Sequence, residues 1–254
     1  MTRVRRFIYK SLLPTRIREA VDIFPYLRKS KVDGLRERKV LVLSPHPDDD
    51  ILGCGGTLYT YHMMGADITV IYMTDGSKGD HLYAEEELVS MRKEEAERAA
   101  GIIGIDRLIF LGNRDSELAV TGKTIKQLHE VLVDLQPEAV FLPFFLDNHQ
   151  DHIETSRIFF FAVESLKSTI MCYLYGIWSP LPVYNVVSDI TSCIETKIHA
   201  LKEHKSQFDL FDFTEAVKGL SKYYSVLNGG NGYAEPFEAC SVQEYRRLGK
   251  IIGW

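Results

Sequence analysis

Beyond Lys39 the chain alternates short, unbroken apolar runs with longer stretches in which apolar residues recur every three or four positions. Val40-Leu41-Val42-Leu43-Ser44 and Ile68-Thr69-Val70-Ile71-Tyr72-Met73-Thr74 have the continuous apolar character of strands buried on both faces. Arg107-Leu108-Ile109-Phe110-Leu111 and Ala139-Val140-Phe141-Leu142-Pro143 supply a third and a fourth strand, and Cys172 to Trp178 a fifth. Helical spacing fills the gaps: Ile51 to Met64 stops at Gly65, Leu88 to Ile103 carries Leu88, Met91, Ala96, Ala99 and Ile103 on one face, and Ile125 to Leu135 stops before Pro137. Ile190, Ile194, Ile198 and Leu201 predict a last helix, followed by the glycine-rich Asn228-Gly229-Gly230-Asn231-Gly232. Parallel strands need crossover connections, which are nearly always right-handed, so this order predicts an α/β fold: an open, mostly parallel sheet with helices on both faces. Ligands in such sheets bind at the carboxyl ends of the strands.

Composition narrows the class without changing this picture. In a chain of 254 residues, 45% hydrophobic and 26% charged residues are ordinary soluble-protein values and exclude a disordered or collagen-like chain. The longest purely apolar run, Ile158 to Val163, is far short of the roughly 20 residues a membrane-spanning helix needs. The apolar stretch near the start is broken by Lys10, Ser11 and Pro14, so no signal-peptide core is expected and the protein is expected in the cytoplasm. Cys54, Cys172, Cys193 and Cys240 form no Cys-x-x-Cys pair, which points to buried free thiols rather than a thiolate metal site.

Charge is distributed unevenly. Residues 1–39 hold 12 Lys+Arg against 4 Asp+Glu, a balance of +8, and the remainder carries −13 of the total of −5. Ile17, Ala20, Val21, Phe24 and Leu27 follow helical spacing within this basic segment. The expected organisation is therefore a basic amphipathic arm over residues 1–38 and a catalytic domain over residues 39–254. The arm either makes peripheral contact with the inner face of a membrane or packs on the acidic body. A nucleic-acid partner is not expected, and the oligomeric state is not readable from the sequence.

Candidate chemistry falls where the fold places a ligand. Directly after the first strand stands Ser44-Pro45-His46-Pro47-Asp48-Asp49-Asp50, and after the fourth Asp147-Asn148-His149-Gln150-Asp151-His152. Adjacent carboxylates at the end of a buried strand repel one another unless a positive partner is present, and a divalent metal supplies that charge. His, Asp and His from two strand ends make a three-ligand site with room for water, the pattern of catalytic rather than structural zinc. Asp48 and Asp49 are neighbours and cannot both point at one ion, so one binds and the other is free to act as a base. Spacing alone leaves open whether His149 or His152 is the ligand.

These residues resemble a known family. Pro45-His46-Pro47-Asp48-Asp49-Asp50, Gly55-Gly56-Thr57, Thr74-Asp75-Gly76, Arg92-Lys93-Glu94-Glu95 and His149-Gln150-Asp151-His152 are similar in order and spacing to the LmbE/PIG-L-type zinc-dependent N-acetylglucosaminyl deacetylases. Weaker matches are Phe110-Leu111-Gly112 with Asp115, His204-Lys205-Ser206-Gln207 and Tyr233 to Phe237. The resemblance covers roughly residues 39–240. It implies a Rossmann-like sheet and removal of acetyl from an N-acetylated amino sugar, possibly one that is lipid-linked. It implies Zn2+, or another divalent ion such as Fe2+, held by His46, Asp49 and His152, with Asp48 as general base. It implies that His149, as a charged neighbour held through its other ring nitrogen by Asp151, stabilises the developing oxyanion, and that Arg92 and Asp115 bind sugar hydroxyls. Asp50 stands where the family usually has Glu, and Asp147 where some members have Tyr.

Two other readings start from the same residues. His46-Pro47-Asp48 with a distant His could form the facial triad of a non-haem Fe(II) oxygenase, although such triads sit mostly on all-β scaffolds. A non-catalytic sugar-binding relative would keep the fold and lose the chemistry, which the intact Asp48 argues against.

Overall fold

The computed structural model describes residues 36–80, 82–166, 169–208 and 212–254. The arm expected over residues 1–38 therefore lies almost wholly outside the described residues.

Seven strands form one sheet: β1 (Lys39–Ser44), β2 (Asp67–Thr74), β3 (Arg107–Asn113), β4 (Ala139–Pro143), β5 (Met171–Tyr175), β6 (Val186–Asp189) and β7 (Ala234–Ser241), in the order β3-β2-β1-β4-β5-β7-β6. Strands β1 to β5 pair in parallel, and β7 runs antiparallel to β5 and to β6. The helices are α1 (Asp49–Met63), α2 (Glu85–Ile103), α3 (Gly122–Leu135), α4 (Gln150–Ala162), α5 (Ile194–Leu201), the single-turn α6 (Lys205–Phe208), α7 (Thr214–Leu227) and α8 (Val242–Ile252).

The unbroken apolar runs have the expected cause. Val40 and Val42 face one layer of helices, with Ile51 and Leu58 of α1 and Ala96 and Ile103 of α2. Leu41 and Leu43 face the other, with Leu128 of α3, Ile158 of α4 and Tyr245 of α8. A strand covered on both sides cannot spare alternate positions for polar residues. Helix α1 must also lie close to its neighbours: a Cβ on Gly53 would stand 2.6 Å from the Tyr175 ring, and one on Gly56 2.7 Å from Ile190. The four cysteines are buried and free.

The five expected strands and the first three expected helices are present, the helices beginning two to three residues earlier than the apolar pattern marks them. The expectation of a last helix through Ile190 is corrected. That residue follows β6, the helix occupies Ile194–Leu201, and α7, β7 and α8 come after it. β6 has only four residues, and β7 carries Pro236 and two glutamates, so neither reads as a strand from pattern.

Strand order reverses between β1 and β4, and the crevice outside their carboxyl ends is the switch point where such sheets bind ligands. The amino end of the sheet is closed differently. There Glu37 accepts hydrogen bonds from the Tyr61 and Tyr173 hydroxyls at 2.5 and 2.8 Å, so the segment leading into β1 joins the body at the end opposite the crevice. Among the described residues no helix is long and apolar enough to cross a membrane.

Candidate active site and metal centre

The turn after β1 begins with Ser44, whose hydroxyl donates to the His46 carbonyl at 2.7 Å and accepts the Asp50 N–H at 3.0 Å. This folds His46 to Asp50 back on themselves and starts α1 at Asp49. Asp48 takes φ 155°, a conformation that side-chain-bearing residues rarely adopt and that clusters at functional sites. After β4, the His149 ring caps α4 by accepting the Asp151 N–H at 3.2 Å.

The two turns bring His46, Asp49 and His152 together. Asp49 Oδ2 lies 3.0 Å from His46 Nδ1 and 3.1 Å from His152 Nε2. The far nitrogens face acceptors: His46 Nε2 lies 3.2 Å from Asp151 and 3.3 Å from Asp115, and His152 Nδ1 lies 3.4 Å from Asp147. With a cation between the rings, the acceptor-only carboxylates would keep the protons on those far nitrogens and free the His46 Nδ1 and His152 Nε2 lone pairs for the ion.

A divalent ion suits this donor set. His152 is fully buried, yet neither of its ring nitrogens is aligned with a hydrogen-bond partner, and Asp147 Oδ1 and Asp151 Oδ1 are also unpartnered. Buried polar atoms without partners are costly unless something else satisfies them. The 3.0–3.1 Å edges approach the roughly 3.3 Å between ligands that bonds of about 2.0–2.1 Å to a tetrahedral ion imply.

The electrostatics agree. Burial alone would lower the pKa of His46 and His152, but Asp115, Asp151 and Asp49 hold the first well above its ordinary value, and Asp49 and Asp147 hold the second at about 9. Burial opposes ionisation of Asp49, yet the two imidazoles keep its carboxyl well below the usual range. Each shift expresses the same surplus of negative charge, which a cation would neutralise.

Asp48 stands apart. Burial pushes its pKa up to about 6 against the pull of Arg92, whose Nη2 lies 3.2 Å from Asp48 Oδ1. The same guanidinium donates to the carbonyls of Gly76 at 3.2 Å and Pro47 at 3.0 Å. Arg92 is 2% exposed and lines the cavity, with its terminal nitrogens on Asp48, Gly76 and Pro47. Asp115, expected at sugar hydroxyls, is also built in: it faces His46, accepts the Lys78 N–H at 3.1 Å, and is held at about 2 mainly by His46 against the effect of burial. Asp50 is buried behind the turn, where Tyr72 donates to it at 3.2 Å and burial, together with the charge of Asp48, raises its pKa to about 7.

One expected relation is corrected. The Asp151 carboxylate serves His46 and the Ser116 N–H, and only its backbone N–H reaches His149. Because His149 Nδ1 accepts that N–H, its own proton belongs on Nε2. Burial, with the charges of His46 and His152, lowers the His149 pKa. The facial-triad alternative fares poorly too, since Asp48, the carboxylate it requires beside His46, faces Arg92.

A cavity of about 360 Å³ opens over these groups, a size typical of small-molecule sites. Its polar wall contains His46, Asp48, Asp49, Asp115 and His149, and its apolar wall Leu52, Ile177, Trp178, Phe213, Val217 and Leu220. The apolar wall escapes sequence reading. The role of Asp147, which also accepts the Ile177 N–H at 3.0 Å, escapes it as well, although an Asp five positions before the second ligand histidine was a usable signal.

Fold and site together define a class: an open α/β sheet with a buried cluster of two histidines and one carboxylate at its switch point that could hold a metal ion, and a separate carboxylate beside it. The profile of the family described as "PIG-L: GlcNAc-PI de-N-acetylase" matches residues 41–163. Diacetylchitobiose deacetylase of Thermococcus kodakarensis is 29% identical over 78% of this chain and 81% of its own. Among solved structures, N,N'-diacetylchitobiose deacetylase from Pyrococcus horikoshii superposes with a TM-score of 0.75 at 28% identity, covering 82% of this chain and 86% of the other. The conserved protein TT1542 from Thermus thermophilus does so with a TM-score of 0.70 at 30% identity, covering 78% and 93%. The chain belongs to the PIG-L, or LmbE-like, family of deacetylases.

Proposed function

We propose that the protein is a metal-dependent N-deacetylase that hydrolyses the acetamide of an N-acetylated amino sugar, yielding acetate and the free amine. The observation that carries this reading is the meeting of His46, Asp49 and His152 under a cavity whose wall holds Asp48 on Arg92. The deacetylase names of the similar proteins support it.

When bound by His46, Asp49 and His152, a divalent ion, zinc foremost, supplies Lewis-acid chemistry that lowers the pKa of water and polarises an acetamide carbonyl. The residues supply the rest. Asp48 takes the proton from the attacking water and passes it to the departing amine, while Arg92 fixes the carboxylate through one oxygen and leaves the other for this transfer. His149 donates its Nε2–H to the carbonyl oxygen as negative charge develops there. Asp151 and Asp147 orient the two metal-ligating rings.

The test is a screen of N-acetylglucosamine, diacetylchitobiose and N-acetylglucosaminides for acetate and new primary amine. Equal release of both, lost with chelator and restored by Zn2+, supports the reading. No acetate from any acceptor with metal-loaded protein overturns it.

A further inference from the structure

The apolar wall of the cavity does not end at its rim. Ala216, Val217 and Leu220 of α7 line the cavity, and the outer face of the same helix continues with Tyr223, Val226 and Leu227 at three- and four-residue spacing. Leu220, Tyr223, Val226 and Leu227 are 37–57% exposed, and Trp178 on the opposite side of the mouth is 55% exposed. Single exposed apolar residues are ordinary, but a row of them running out of a reactive cavity is not. From Ala216 to Leu227 the row extends about 16 Å along the helix axis.

Helix α7 is also incompletely sealed underneath. A second cavity of about 50 Å³ shares Leu52, Gly176, Val217 and Leu220 with the first, and its lining also includes Leu181, Tyr224 and Pro236 together with Ser221 and the Lys197–Glu235 pair. The residues common to both cavities offer hydrocarbon and no side-chain hydrogen-bonding group.

This surface selects among aglycones. Apart from the Tyr223 hydroxyl and the Trp178 indole N–H, this surface offers the hydroxyls of a second sugar no side-chain partner for the water they would lose. A phosphate would find the nearby cations engaged, Lys218 with Glu195 at 2.7 Å and Lys222 with the Asn231 carbonyl. A hydrocarbon chain meets neither difficulty, and the length of the row suits an extended chain better than a compact ring.

We infer that the acetamido sugar is presented on a linear hydrocarbon aglycone, which leaves the cavity between Trp178 and Leu220 and runs along α7 over Tyr223, Val226 and Leu227. The inference rests on the deacetylase reading for the identity of the sugar, and on the apolar row for its aglycone.

Calorimetric titration of the metal-loaded full chain with methyl, butyl and octyl N-acetylglucosaminides, below the micelle concentration of the octyl compound, tests it. A fully buried methylene changes Kd by about fourfold, so the octyl compound is expected to bind at least about tenfold more tightly than the methyl one. Leu220→Ser, and separately the Val226→Ser/Leu227→Ser pair at two exposed positions, should each lower that octyl-to-methyl ratio severalfold. Equal Kd values across the three chains, or a wild-type ratio in both variants, overturns the aglycone inference. Acetate assayed on the same compounds separates the two claims: chain-dependent binding without acetate overturns the deacetylase reading alone, and acetate release with chain-independent binding overturns the aglycone alone.

Discussion

The parallel half of the sheet, β3-β2-β1-β4-β5, and helix α7, which packs on the antiparallel edge strands β7 and β6, face the same cavity with different chemistry. On the parallel side, His46, Asp48, Asp49, His149 and His152 lie within a few residues of two strand ends. Their positions follow from topology, because the switch point gathers whatever residues follow β1 and β4. On the antiparallel side no residue has been assigned to the reaction. β7 carries instead a buried ion pair, in which Lys197 Nζ donates to Glu235 at 2.6 Å and to the Leu52 carbonyl at 2.8 Å. Glu235 also accepts the N–H groups of Gly56 and Thr57 at 3.0 and 2.8 Å and so ties β7 to α1, the helix that begins with Asp49. In the proposed reaction one half supplies the reacting groups, and the other holds and shapes the site.

The comparison breaks most visibly if substitutions on the two sides have the same effect. His46→Ala, Asp49→Ala and His152→Ala should each lose most of the bound divalent ion and at least roughly 10³-fold in turnover. Metal analysis alongside acetate release measures both, and His149→Ala should keep the ion. Retention in His152→Ala with loss in His149→Ala would mean that the two histidines exchange roles.

Asp48→Asn should keep the metal and slow turnover by roughly 10²–10⁴-fold, the usual contribution of a positioned base. A variant that empties the site instead makes Asp48 a ligand.

On the other side, Glu235→Ala should cost about 3–5 kcal/mol of stability in urea denaturation, because it leaves the Lys197 ammonium buried and unpaired. The Lys197→Met/Glu235→Leu pair should recover much of that loss, and an unchanged urea midpoint in the single variant would refute the tie.

Asp147→Asn should weaken metal binding by about 10–100-fold, the usual cost of losing a partner of a ligating histidine. Competition with a chromogenic chelator reads the change, and unaltered affinity would show that Asp147 does not orient His152.

A pH-dependent effect concerns Glu238 on β7, whose pKa burial raises from 4.5 to about 7. Folding therefore favours its protonated form. The associated stability is fully present below about pH 4.5 and is lost as pH rises to about 7. Glu238→Gln should be up to about 3 kcal/mol more stable than the parent at pH 8, with the gap closing below pH 4.5. Thermal melts across that range decide it, and a constant gap would rule out the titration.

The same division separates what was legible from what was not. Val40 to Ser44 and Ile68 to Thr74 announced buried parallel strands because a strand covered on both faces must be apolar throughout. The cluster of His46, Asp48, Asp49, His149 and His152 was legible because strand-end position and motif spacing are both local properties of the chain, while the choice between Asp48 and Asp49 and between His149 and His152 was left to the family resemblance. β7 was hidden because the burial of Glu235 and Glu238 is decided by elements far away in sequence: Lys197 balances the first, and no local pattern marks the second.

The sequence by itself determined the alternating α/β order, the two strand ends that carry the chemistry and the family to which the chain belongs. Tertiary structure decided which carboxylate serves which ring, turning Asp151 to His46 and Asp147 to His152 and engaging Arg92 with Asp48. It also decided that α7 closes the cavity with an apolar wall. The reason is reach. Hydrophobic periodicity and turn chemistry act over a few residues, whereas the partner of a buried charge is set by side chains that meet only after the sheet has assembled.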